Sequence, residues 1–105
     1  MTDPVLAALK AARGLIADPA RWTKGVSARN ANGVAVPPIS TDACRWCTVG
    51  ALDRVRANDA TRVALSLALP TYHHSLIMYN DITTRTHADI LALFDRAIER
   101  TQESK

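Results

Sequence analysis

The stretch Asp42-Ala43-Cys44-Arg45-Trp46-Cys47-Thr48-Val49-Gly50-Ala51-Leu52 gathers both cysteines, one tryptophan and a run of small residues in the middle of the chain. Taken at 100° per residue, Ala43, Trp46, Cys47, Gly50 and Ala51 share one broad face. Leu52 and Val55 lie on another, and only Arg45, Arg54 and Arg56 are left for solvent. A helix that is apolar on two sides must be covered by neighbours. The pattern predicts a central helix from about Asp42 to Ala57, interrupted at Asn58-Asp59, with the other elements packed around it.

With 105 residues, the chain is read as a single domain spanning residues 1–105. A chain of this size buries about two-thirds of its unfolded surface without disulfide or metal staples. No apolar run approaches the ~18 residues that a membrane span requires. The opening Met-Thr-Asp-Pro has no basic n-region or apolar h-region, so a cytoplasmic location is expected, where two cysteines stay reduced. Ten arginines and three lysines against ten acidic residues give the formal charge of +3. They are scattered through every segment instead of clustered, which argues against a nucleic-acid footprint.

Along the chain, Asp3-Pro4 reads as an N-cap with proline at the first helical position, opening helix 1 to about Ala17. Val5, Leu9, Ala12 and Ile16 form its apolar face, and Asp18-Pro19 ends it. Residues 22–36 read as a small hairpin. Asn32-Gly33 would supply a type I′ turn between Val26-Ser27-Ala28 and Val34-Ala35-Val36, with Trp22 pinning the hairpin to helices. After the central helix, helix 3 runs from about Asp59 to Pro70, and a short helix follows from Thr71 to Tyr79. Residues 80–85 read as a loop. Thr86 and Asp89 stand at capping-box spacing before a last helix whose stripe is Ile90, Phe94, Ala97 and Ile98.

Three motifs along the chain stand together: Trp46-Cys47-Thr48-Val49-Gly50-Ala51-Leu52, then Tyr79-Asn80-Asp81, then Arg85-Thr86 leading into the last helix. In these the chain resembles a family of small, uncharacterised bacterial and phage proteins that carry W-C-x-x-G-A-L, W-N-D and R-T motifs, with Tyr79 here in place of the second tryptophan. Trp22 and the Asn32-Gly33 turn match that family in kind. The resemblance implies a helical fold and brings no activity with it.

Cys47 is the first candidate for chemistry, since a thiol in the opening turn of a helix can be activated by the helix dipole. Its place beside Gly50 and Ala51 favours packing instead. The alternative reading is a cysteine-dependent enzyme or thiol sensor centred on Cys47 with His87; as an enzyme it makes Cys47 a nucleophile, His87 its base, and Asn80 or Asp81 the group that orients the imidazole. A Cys44/Cys47 dithiol lacks the βαβ context of redox motifs. Zinc on Cys44, Cys47, His73 and His74 fails because adjacent histidines diverge. No metal and no cofactor is expected.

The sequence therefore predicts a mainly α domain of four or five helices around a central helix, with one small β-hairpin between helices 1 and 2. Its function is read as non-enzymatic: binding to a protein partner or to itself, with Trp22, Trp46, Asn80 and Asp81 as candidate binding residues. Apolar surface at Leu67, Leu69, Leu76 and Met78 is the candidate interface. Arg45, Arg54, Arg56, Arg62 and Arg85 would form an anion site only if the fold gathered them.

Overall fold

Asp3 and Pro4 start the first helix as their chemistry requires. In the computed structural model, which describes residues 3–70 and 75–103, the Asp3 carboxylate accepts the Val5 and Leu6 N–H groups at 2.9 and 3.3 Å. Helix α1 (Pro4–Leu15) follows, then a 3-10 turn at Pro19–Arg21 capped by Asp18, and strands β1 (Ala28–Arg29) and β2 (Arg45–Trp46). Helices α2 (Thr48–Arg54), α3 (Asp59–Leu67), α4 (Leu76–Asp81) and α5 (His87–Glu103) complete the order. The chain is mainly helical, with a small antiparallel strand pair between the first two helices.

Helix α1 packs on α2, α3 and α5, while α4 lies against α2. Leu9, Ile16, Leu52, Leu65, Ile90, Leu93 and Phe94 are sealed from solvent and fill the space between them. Within α2, Thr48 to Leu52 are all buried, so this short helix is covered all round. The capping box before α5 is present: Asp89 N–H donates to Thr86 Oγ1 at 3.1 Å and Thr86 N–H to Asp89 Oδ2 at 2.9 Å. The latter bond holds the Asp89 carboxyl below its ordinary value.

Two expectations about the middle of the chain need correction. The central helix begins at Thr48, and Ala43 to Trp46 are not helical. Trp46 pairs with Ala28, Cys44 N–H donates to Arg29 O at 2.9 Å, and Cys47 N–H donates to Ser27 O at 3.1 Å. These backbone bonds outweigh the helical periodicity of the side chains. The helix also ends at Arg54, short of Ala57.

The strand pair falls between helices 1 and 2 as predicted, but β1 pairs with β2 and not with Val34–Val36. The latter segment adds an isolated Arg29–Ala35 bridge, with Val36 N–H on Ala28 O and Asn30 N–H on Val34 O. Its turn is not type I′. Gly33 has a φ of +80°, Asn32 is not left-handed, and Gly33 N–H closes on Asn30 O at 2.9 Å. A three-residue loop from 31 to 33 results, with glycine in the left-handed position. The bonds from Asn32 N–H and Val34 N–H to Asn30 Oδ1, at 2.9 and 3.0 Å, favour that geometry.

The end of α2 carries local strain. Ala57 N–H reaches Leu52 O and Arg56 N–H reaches Asp53 O, both at 3.0 Å, the two bonds of a Schellman cap. Its left-handed position is held by Arg56 at φ 58°. A side chain there costs about 1–2 kcal/mol, against which glycine loses more chain entropy on folding. Arg56→Gly is accordingly expected to raise the unfolding free energy by about 0.5–1 kcal/mol, read from urea denaturation at unchanged m-value.

Candidate functional site

Asn80 stands in the last turn of α4, not in a loop as its sequence context suggested, and its side chain is fully buried. A buried amide must find partners for its oxygen and both amino hydrogens. Here the oxygen Oδ1 accepts Trp22 Nε1–H at 2.8 Å, Thr48 N–H at 3.0 Å and Thr48 Oγ1–H at 2.8 Å. The amide nitrogen donates to Thr23 O at 3.1 Å and to Asp81 Oδ1 at 2.9 Å. One side chain thus joins the segment after α1, the first turn of α2 and the end of α4.

Around this hub the segment 22–29 is tied down residue by residue. Gly25 N–H donates to Asp81 Oδ1 at 3.0 Å, and Lys24 Nζ donates to Ile82 O and Thr83 O at 2.7 and 3.2 Å. Arg29 binds Thr23 Oγ1, Gly33 O and Lys24 O through its three guanidinium nitrogens. Gly50 admits this segment against α2. A Cβ there would stand 2.8 Å from the Ser27 carbonyl carbon and closer still to its oxygen. Sequence reasoning singled out Gly50 for tight packing but missed Thr48 and Ser27. Thr48 carried no signal beyond its place next to Cys47, and Ser27 acts through its backbone.

Cys47 is the N-cap of α2, with Gly50 N–H donating to its Sγ at 3.2 Å. Only 5% exposed, it has its thiol pKa pushed up by burial, opposite to the activation expected at a helix start. Asp81 and Asp53 add to that rise through their charge. Cys47 lines a cleft of about 140 Å³ formed with Gly25, Val26, Ser27, Val49, Ile77 and Asp81. Cys44 is half-buried, and both thiols are free.

Of the other candidates, His87 goes elsewhere. Its ring lies 5.9 Å from that of Trp22, and Nε2 is 2.6 Å from Ile16 O; a carbonyl only accepts, so this nitrogen carries the proton. No hydrogen bond links His87 to Cys47 among the described residues, and the Cys47 cleft is lined without it. Trp46 is buried, donates Nε1–H to Pro38 O at 3.0 Å, and is covered by Arg54 at 5.5 Å. The structure therefore gathers Trp22, Asn80 and Asp81, sets Cys47 beside Asp81, and brings His87 and Trp46 against Trp22 from other sides without a hydrogen bond from either side chain to Asn80, Asp81 or Cys47 among the described residues.

The arginines are dispersed as well. Arg54 donates to the carbonyls of Pro38 and Ser40, Arg62 pairs with Asp53, and Arg85 stacks 3.7 Å from the Tyr79 ring. His73 and His74, invoked for zinc, lie outside the described residues. Among the described residues no group of three or more His, Cys, Asp or Glu side chains is gathered to hold a metal ion. None of their helices is long and apolar enough to cross a membrane.

Comparison with known families gives one match. A model of a family of unknown function (DUF6197) matches residues 1–100. The chain belongs to that family. No curated protein and no solved structure matches it. For this DUF6197 member, function rests on the geometry of the site itself.

Removing the hub side chain leaves Trp22 Nε1–H, Thr48 N–H and Thr48 Oγ1–H without their acceptor. Asn80→Ala is expected to lose about 3 kcal/mol or more of stability, measured by denaturant titration. For Cys47, the folded state keeps its proton above the ordinary thiol value of 9.0 while the unfolded state releases it. Stability is then fully present below that pH and falls as pH rises through the raised folded value. Cys47→Ser, which retains an N-cap acceptor, should show a smaller decline across the same interval in thermal melts.

Proposed function

We propose that the chain is a non-enzymatic module that docks a protein partner through the exposed apolar residues of α3 and α4. The observation that carries this reading is the exposure of Leu67 and Met78, at 63% and 61%, with Val63 and Ile77 also more than half exposed. Two other residues of the sequence-derived patch do not contribute: Leu76 is buried in the core and Leu69 is half-buried against it. Grooves flank α3 on both sides. One, of about 260 Å³, lies toward α4 and includes Arg62, Ser66, Ser75 and Ile77; the other, of about 270 Å³, lies toward α5 and includes Ala64, Leu67 and Arg100.

Covering what remains exposed of each such side chain is worth on the order of 1 kcal/mol. Support also comes from the engagement of the polar candidates. Among the described residues no buried side-chain nitrogen or oxygen lacks a hydrogen-bond partner. In this reading Trp22, Trp46 and Asn80 are scaffold, Asp81 borders the docking face, and no partner nucleic acid or cofactor is invoked.

A photo-crosslinking amino acid placed at Leu67 or Met78, and at exposed Lys10 as control, tests the reading in the protein's own cells. A discrete adduct from Leu67 and Met78 and none from Lys10 is expected. The adduct's mass distinguishes a second copy of the chain from another protein. Equal adducts from all three positions, or none from Leu67 and Met78, would overturn it.

A further inference from the structure

We infer that the cleft beside Cys47 is the anchor pocket for a lysine side chain of the docked partner, received by the Asp81 carboxylate. This rests on the docking reading and adds to it the chemistry of one contact. Asp81 Oδ1 is held by Gly25 N–H and Asn80 Nδ2–H, which fix the carboxylate in the cleft wall. Its second oxygen, Oδ2, has no hydrogen-bond partner among the described residues, and Asp81 forms no ion pair there. Lys24, the nearest basic residue to Gly25 in sequence, turns its ammonium to the carbonyls of Ile82 and Thr83. The carboxylate is thus oriented, half-buried and not neutralised from within the described chain.

The remaining walls decide what kind of cation fits. Val26, Val49 and Ile77 supply apolar surface beside the carboxylate, which suits a methylene stem ending in a charge. A guanidinium binds best to both oxygens of a carboxylate in a fork, and one of the two is already taken here. A single free oxygen favours the point charge of an ammonium. The volume of about 140 Å³ accommodates a four-carbon stem. Val49 and Ile77 also line the groove between α3 and α4, so the cleft opens at the edge of the proposed docking face.

Titration of the ¹⁵N-labelled protein with N-acetyl-L-lysine amide, followed by amide chemical shifts, tests this directly. Saturable shifts at Gly25, Val26, Ser27, Cys47, Val49 and Ile77 are expected. N-acetyl-L-norleucine amide, which keeps the stem and lacks the charge, should bind about tenfold more weakly. Asp81→Asn, whose amide oxygen still accepts from Gly25 and Asn80, should weaken the lysine probe by a similar factor. Equal binding of the two probes, no saturable shift, or undiminished binding by Asp81→Asn would overturn the inference. Tighter binding of N-acetyl-L-arginine amide would overturn the choice of an ammonium. Should Asp81→Asn fail to fold, the norleucine comparison on the native chain decides between binding through the charge and binding through the stem. A photo-adduct at Leu67 and Met78 without probe binding removes the lysine anchor and leaves the docking face standing. Probe binding without a photo-adduct removes the docking face, and with it the partner as the source of the ammonium.

Discussion

Three donors converge on one buried carbonyl oxygen, Asn80 Oδ1, and the arrangement of the rest follows from satisfying it. Burying an amide is unfavourable unless every donor and acceptor is matched. Matching them here requires the indole of Trp22, the first residue of α2 and the last turn of α4 to meet at one point. Once they meet, Asp81 is aimed at Gly25 and Lys24 at the carbonyls after α4. The segment between α1 and β1 has no regular structure beyond one 3-10 turn, and these bonds give it a defined path.

Hydrophobic burial supplies the frame in which this network operates. Helix α1 touches α2, α3 and α5, and its buried residues Leu9 and Ala12, with Ile16 just beyond, join the apolar stripe of α5 in one core. Such packing is non-directional and tolerates small shifts. The polar hub is directional and does not. Gly50 marks the place where the two meet, since the helix and the Ser27 carbonyl approach more closely than any side chain would permit. The side chains around this junction follow their surroundings: burial raises the Cys47 thiol pKa, and His87 Nε2–H donates to the Ile16 carbonyl.

Much of the fold was legible in the residues because local signals agree with the final packing. Asp3-Pro4, Asn58 and the Thr86/Asp89 pair sit where helices begin, and each side chain caps as its type requires. Ile90, Phe94 and Ala97 of the α5 stripe are buried as their spacing indicated, Leu93 joins them, and Ile98 is half-buried against the core. The start of α2 was not legible. Side-chain periodicity from Ala43 to Gly50 fits a helix, whereas the backbone of Cys44 to Cys47 is claimed by carbonyls of the β1 region, distant in sequence. At the candidate site, Trp22, Asn80 and Asp81 could be picked out as notable polar and aromatic residues, but not their convergence, which depends on partners 32 to 58 positions away. No local pattern encodes an oxygen shared by three donors.

That shared oxygen also determines how the sequence can vary. With Asn80 intact, losing the Trp22 indole or the Thr48 hydroxyl removes a matched bond. With Asn80 already replaced, the same loss removes a donor that has no acceptor left. The effects of substitutions at Trp22, Thr48 and Asn80 are therefore not additive. The first change is costly in any order, and later ones are progressively cheaper. What a substitution at any one of these positions costs is then conditioned by the residues at the other two.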